Sequence, residues 1–203
     1  MTTASTPKGE RRRAALIRAA SELFSAGGVE AVTHRAVAQR AGLPLASTTY
    51  YFSSLDEVLV LAVEFGGRAE IDLLKRQLEV VSRRRRNADT FSSLLVEWLA
   101  QGSDAEPSAQ RAELVARYER FVASVRRPEI RRVTGRLRAE RNALVVELID
   151  RCGREVSASS LKTLVAIVDG TLLSSLLAEE RDPFAAVRDA LFPVVDVLAP
   201  TKG

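Results

Sequence analysis

The sequence predicts an all-α fold, and three observations carry it. Apolar residues recur at spacings of three and four along nearly the whole chain, which is the period of a helix with one buried stripe. Alternating strand-like runs and Asn-Gly hairpin turns are missing. The seven prolines fall mostly where helices would begin, where a fixed φ and a missing N–H do least harm. About nine helices are expected: three small ones in the first quarter of the chain and six longer ones behind.

Taken in order, residues 1–8 read as a polar tail. A first helix from about Lys8 to Ala26 would bury Leu16, Ala19, Ala20, Leu23 and Phe24, with Gly27-Gly28 ending it. A second, short helix starts at Thr33, whose hydroxyl can cap it, and stops at Gly42. Pro44 permits a new helical start but not a continuation. The next stretch, AGLPLASTTYYF from Ala41 to Phe52, has small and hydroxyl side chains at one end and aromatic rings at the other. Beyond it, Ser54 and Glu57 have the spacing of a capping box. They open a long helix to about Arg83, apolar at Val58, Leu59, Leu61, Ala62, Phe65, Leu73, Leu74, Leu78 and Val81.

Gly66-Gly67 should interrupt that helix. Two glycines there cost about 1 kcal/mol each against alanine, so they mark either a close helix contact or a point of bending. The run Arg83 to Arg86 reads as a solvated helix end, favourable beside the negative end of the helix dipole, rather than as a second nucleic-acid patch. Further helices are expected at about Ala88 to Gln101, Pro107 to Val125, Pro128 to Arg151, Ser157 to Glu180 and Pro183 to Ala199. Asp182-Pro183 is a good N-cap and N1 pair, and Pro193 should kink or split the last helix.

Charge is unevenly distributed. The formal net charge is +4, yet up to Phe52 there are seven Lys/Arg against three Glu, and the remainder balances at 23 of each sign. Such asymmetry favours a polyanion-binding head on a neutral body. One cysteine and one histidine leave no internal disulfide and little for a soft-metal site, so neither metal nor cofactor is expected. The opening MTTASTPKGE lacks the apolar core of a signal peptide, and no later run reads as long and charge-free enough to span a bilayer. A cytoplasmic protein with no membrane partner is expected. There is no His/carboxylate cluster, no phosphate-cradling glycine loop after a strand and no pair of Glu-x-x-His motifs, so the chain reads as a non-enzyme. A helical adaptor binding polyanions non-specifically through its basic amino end is the alternative.

Helix, short helix, tight turn, short helix is the layout of a helix-turn-helix, whose second short helix enters a DNA major groove. Leu45, Ala46, Ser47, Thr48 and Thr49 supply compact side chains where bases approach; Tyr50 and Tyr51 can reach phosphates, and Phe52 would pack inward on the first helix. The segment LIRAASELFSAGGVEAVTHRAVAQRAGLPLASTTYYFSSLDEVL resembles the DNA-binding region of the TetR family of bacterial transcriptional regulators. Leu23-Phe24 with Gly28, Thr33 with Val37-Ala38, Ala41-Gly42-Leu43, Tyr51-Phe52 and Ser54 carry the resemblance together.

The resemblance implies an all-helical homodimer with a helix-turn-helix domain over residues 1–53 and an effector-binding and dimerisation domain over 54–203. A small-molecule effector would alter affinity for a double-stranded, palindromic DNA operator, most simply by releasing a repressor; a ligand-responsive activator is the other form. Carried over by position, Thr33 would hold a phosphate, as well as or instead of capping its helix. Arg35 would reach a base edge or phosphate, residues Leu45 to Tyr50 would form the recognition surface, and Tyr51 would touch the backbone. Arg11, Arg12 and Arg13 would supplement phosphate binding, enter a minor groove, or belong to a solubilising tail. Thr48-Thr49 stand where relatives commonly have Leu-Tyr, and Leu55 where they often have lysine, so the operator sequence does not carry over.

Within SASSLKTLVAIVDGTLLSSLLAEE, residues Leu161, Leu164, Val165, Val168, Leu172 and Leu176 form one apolar face while Ile167, Leu173 and Leu177 lie off it. A helix with no polar face needs cover on both sides. Ala166, Gly170 and Ser174 form a small-residue stripe. These residues with Leu173, Leu177, Leu191 and Val195 are assigned to a four-helix dimer interface, burial within one subunit being the other reading. For the effector, Trp98, Tyr118 and Phe121 lie on inward stripes, and Glu140 or Arg141 interrupts the stripe Ile130, Val133, Leu137, Leu144, Leu148. A charge on an inward face needs a partner, within the core, in solvent or on a ligand.

Overall fold

The computed structural model describes residues 6–100, 107–178 and 182–203, and among the described residues there are ten α-helices. They are α1 (Pro7–Gly27), α2 (His34–Arg40), α3 (Ala46–Tyr51), α4 (Leu55–Val80), α5 (Ala88–Ala100), α6 (Pro107–Arg126), α7 (Pro128–Arg151), α8 (Ala158–Leu177), α9 (Pro183–Leu191) and α10 (Val195–Leu198). A single 3-10 turn, Val29–Ala31, links α1 to α2. The expected ends of α5 at Gln101 and α8 at Glu180 lie outside the described residues.

Most helix starts follow from local chemistry. Thr6 caps α1 by accepting from the Gly9 amide at 3.2 Å, with Pro7 at the first helical position. Helix α1 therefore takes in two residues of the expected tail, and Arg11, Arg12 and Arg13 lie on a helix. Ser157 caps α8 at 3.0 Å and Asp182 caps α9 through the amides of Phe184 and Ala185. At α4 the Glu57 amide donates to Ser54 Oγ at 3.1 Å, but the returning carboxylate reaches Ser53, accepting from its amide at 2.8 Å and its hydroxyl at 2.7 Å. The box is thus closed one residue early. Pro193 splits the expected last helix into α9 and α10, because it has no N–H to continue the ladder.

By contacts the chain divides into two compact units, residues 1–70 with 115–137, and residues 71–114 with 138–203. This division falls within α4, α6 and α7 rather than at residue 53. The first unit is organised on Leu16, Ala20, Phe24, Val37, Phe52, Val58, Leu59 and Ala62, joined by Ile130 and Val133 from α7. Helices α2 and α3 have seven and six residues, too short to persist alone in water. Burial is what holds them, at about 1.5–3 kcal/mol for each large apolar side chain removed from solvent.

Helix α4 runs without interruption through Gly66-Gly67, so of the two expected roles, close contact or bend, it is the contact that occurs. The glycines serve approach instead. A Cβ at Gly66 would lie 2.9 Å from Ser21 Oγ, and one at Gly67 would collide with the Leu137 side chain.

The second unit is organised on α8, which packs chiefly against α9 and α5. Its predicted inner face is buried throughout: Leu161, Leu164, Val165, Val168, Leu172 and Leu176. By length and composition α8 is also apolar enough to cross a membrane, contrary to the expectation that no segment would be. Its apolar excess goes into this buried face and into the outward stripe described below.

The arginine run is a second departure. Residues 81–87 are not helical. The Arg84 amide donates to Arg151 O at 2.9 Å and the Arg86 amide to Cys152 O at 3.1 Å. Arg83 reaches Glu147 at 2.9 Å and Asp150 at 2.6 Å, and Arg86 is buried. What composition suggested as a solvated helix end is an extended segment laid along the end of α7, which only the fold could reveal.

Candidate nucleic-acid interface

Helix α2 begins at Thr33, whose Oγ1 accepts from the Ala36 amide at 3.1 Å. Thr33 is exposed, as is Arg35 on the first turn. The helix closes through Ala41, and Gly42 at φ 65° turns the chain, donating to Gln39 O at 3.1 Å. A residue with a Cβ strains at that φ, which is why glycine stands at the turn. Pro44 O then receives the Ser47 amide at 2.9 Å and Leu45 O the Thr48 amide at 3.1 Å, starting α3.

Along α3 the side chains separate into two faces. Leu45 is 53% exposed and Tyr50 77% exposed; Ala46 and Thr49 are exposed, Ser47 and Tyr51 half-buried. Thr48 corrects the expectation: it is fully buried, with its hydroxyl donating to Leu45 O at 2.8 Å. One helical turn cannot present five consecutive residues outward, and position 48 is the one that faces the core. Leu45, Ala46, Ser47, Thr49 and Tyr50 remain on or beside the open face. Tyr50 and Tyr51 meet edge to face at 4.9 Å, and Tyr51 packs on the first unit's core.

The basic side chains of this head sort into committed and uncommitted groups. Arg40 bonds Glu22 at 2.7 Å. Arg13 stands 5.4 Å over the Phe52 ring and 4.0 Å from Glu57, so it braces the head. Glu57 is held below its usual carboxylate range, first by the Ser53 hydroxyl and next by the Ser53 amide. Arg12, Arg18 and Arg35 are exposed, without a carboxylate partner among the described residues. They leave positive charge for phosphates.

Other elements are tied to this head in ways the sequence did not show. Arg127 on the turn before α7 bonds Asp56 at 2.6 Å, Arg120 bonds Glu70 at 3.0 Å and Arg136 lies 3.5 Å from Glu64. The late turns of α6 turn Arg120 and Ser124 inward, while Val122 and Val125 face out. Phe121 is accordingly 43% exposed, not on an inward stripe. Its helical period is apolar on the wrong side because the charge pairs, not apolar side chains, dock this face.

The remaining expected effector residues are not gathered in one unit. Trp98 is buried, and Glu140 and Arg141 half-buried, in the second unit; Tyr118, half-buried, and Phe121 belong to the first.

The expected partner face fares differently on its two helices. On α8, Ala166, Gly170, Leu173, Ser174 and Leu177 are all exposed, Leu177 at 81%, and they share one side. Leu191 and Val195 are fully buried within the subunit, so they cannot belong to an outer face. The apolar side chains exposed next to them are Phe192 at 51% and Val197 at 79%. Val187, Leu191 and Val195 form one apolar stripe that is spent on the subunit's own core, and period alone does not tell such a face from an outer one.

A basic head in which α2, a glycine turn and an outward α3 stand on a packed core is the helix-turn-helix of a DNA-binding transcription regulator. Residues 16–62 match the family described as bacterial regulatory proteins, tetR family, and residues 82–197 the tetracyclin repressor-like C-terminal domain. The chain belongs to the TetR family. Among solved structures it is similar to the multidrug binding protein EbrR complexed with proflavin, at 27% identity over 90% of this chain and 99% of that one, with a TM-score of 0.66. It is also similar to a TetR family member (SCO1917) from Streptomyces coelicolor A3, at 28% identity over 88% and 95% of the two chains and a TM-score of 0.61. A regulator from Saccharomonospora viridis in complex with choline, 18% identical with a TM-score of 0.70, shares the fold. No curated protein matches the sequence.

Proposed function

We propose that the protein is a repressor that binds a palindromic DNA operator as a homodimer and is released from it by a small organic effector. The observation that carries the DNA-binding half is the open face of α3, with Thr48 turned inward and Leu45, Ala46, Thr49 and Tyr50 turned out beside an unpaired Arg35. Compact hydroxyl and methyl groups suit base edges and thymine methyls, while arginine and tyrosine suit phosphates. The exposed stripe of α8 supports pairing of two chains. A two-fold pair would set its recognition helices about 34–36 Å apart, one turn of DNA.

For the effector half, EbrR is described with proflavin, ethidium and malachite green, and a small organic molecule is proposed here too, with Trp98 and Glu140 as the first residues to test. Domain roles follow the two family matches: recognition near the amino end, sensing and pairing behind. The decisive experiment is selection of genomic fragments by the purified protein, followed by anisotropy titration at fixed salt. Binding to a two-fold symmetric site, weakened by an effector linked to the neighbouring genes, is expected. Equal affinity for all sequences would refute the reading.

A further inference from the structure

The second unit contains an open cleft whose walls are unusually basic, lined by Arg85, Arg86, Asn87, Arg154, Asp196 and Thr201. Three chain segments are fastened together there. Residues 84–86 run along the end of α7, and the carboxyl tail returns so that the Glu155 amide donates to Pro200 O at 3.0 Å and the Lys202 amide to Gly153 O at 2.9 Å. These backbone bonds hold the arginines in place.

Arg154 is 1% exposed: Nη1 donates to Asp196 Oδ1 and Ala199 O, both at 2.7 Å, Nη2 to Arg86 O at 3.4 Å, and the guanidinium lies 4.8 Å over the Phe91 ring, with Nε left buried without an acceptor. Arg86 is different. It is 9% exposed, yet its Nη1 alone is engaged, by Ser82 O, Arg84 O and Cys152 Sγ. No carboxylate lies within ion-pair distance of it among the described residues, and its Nε and Nη2 have no protein acceptor there. Burial pushes the Cys152 thiol up, more than the neighbouring Arg86 pulls it down, so a neutral thiol faces the guanidinium and supplies no counter-charge. Those two nitrogens keep access to solvent, so Arg86 offers the cleft a positive charge that no carboxylate neutralises and that an anion would match.

Two further groups converge on the cleft. Arg85 is exposed and bonds only Lys202 O. Helix α5 starts at Ala88, which lines the cleft with Asn87, and Asn87 Oδ1 takes the Thr90 amide at 2.9 Å. Helix amino ends favour negative charge. Against three arginines the cleft has one carboxylate, Asp196, whose side chain is 69% exposed and holds Arg154 rather than Arg86.

We propose that this cleft binds a small oxyanion, a phosphate or carboxylate group, through Arg86, Arg85 and the amino end of α5, with Asp196 as the internal group that competes with it. Planar guanidinium forks match both oxyanions.

The test needs no DNA and uses the full chain: calorimetric titration and thermal unfolding in inorganic phosphate and, separately, acetate, each against chloride at matched ionic strength. Saturable stabilisation by phosphate or by acetate beyond chloride is expected, and the anion that gives it names the source. Arg85→Gln, at an exposed position, should weaken that affinity about tenfold, the scale of one charge-assisted hydrogen bond, and Asp196→Asn should strengthen it by a similar factor. If neither anion gives saturable binding in the wild type or in Asp196→Asn, or if Arg85→Gln binds as well as the wild type, the proposal is overturned.

Discussion

Thr48 and Thr49 are neighbours with opposite surroundings, and replacing each by valine separates fold from recognition. Valine keeps the β-branched shape and exchanges a hydroxyl for a methyl. At Thr48, fully buried, the change removes the bond to Leu45 O, worth about 0.5–1.5 kcal/mol net. Leu45 O still accepts the Thr48 amide at 3.1 Å, so no acceptor is orphaned and the loss stays near 1 kcal/mol. In a chain of this size that lowers the Tm by about 2–4 °C. At Thr49 the hydroxyl is exposed and holds only a 3.2 Å bond to Ala46 O, so stability should change by less than about 0.5 kcal/mol. Its loss at a base edge would cost about 1–3 kcal/mol of specific binding, roughly fivefold to a hundredfold in Kd. Thermal unfolding by circular dichroism and anisotropy titration on a selected operator, at one salt concentration and a temperature where both variants are folded, measure the two quantities. If Thr48→Val weakens DNA binding more than Thr49→Val does, the assignment of faces on α3 is wrong.

Other consequences can be measured alongside. Gly67→Ala should be less stable than Gly135→Ala, since the first meets Leu137 and the second meets nothing within 4 Å. Alanine's higher helix propensity favours both by about 1 kcal/mol, and overpacking subtracts about 1–3 kcal/mol from the first alone; equal denaturation midpoints would contradict the packing argument. Leu173→Glu with Leu177→Glu places charge on the exposed stripe of α8 and should give a folded monomer by light scattering, with specific DNA binding lost. Glu57 has its carboxyl held below the ordinary value of 4.5 by Ser53; the stability this brings is complete above that value and vanishes as pH falls through the lower folded pKa. Glu57→Gln should therefore lower stability at neutral pH, where the contribution is complete, and flatten the acid limb of the stability curve below pH about 4.5. Arg35→Ala should reduce the slope of log affinity against log salt by about one ion if it holds a phosphate, and leave the slope unchanged if it reads a base.

Much of the fold was legible because it is written in local terms. Thr33, Ser54, Ser157 and Asp182 each act as caps within a few residues of their own position, and Pro193 breaks a ladder wherever it stands. The inner face of α8 follows from period alone. Where a residue's role depends on a distant partner, local terms fell short. Gly66-Gly67 read as either a close contact or a bend, and the choice waited on Ser21 and Leu137, which nothing nearby in the chain announces. Arg83 to Arg86 looked like solvated charge because Glu147, Asp150 and Cys152 are more than sixty residues away. Phe121 was assigned inward by apolarity, while Arg120 and Arg127 reached inward to carboxylates.

From the sequence alone came the helical period, most helix starts, the positive head and the family, since each depends on residues close together in the chain. Tertiary structure alone decided which way each helix turns: that Thr48 faces the core and Thr49 does not, that Leu191 and Val195 are used up inside the subunit while Leu177 is left outside, and that Arg86 is buried without a counter-charge. Periodicity names a face, but burial depends on what arrives from elsewhere to cover it.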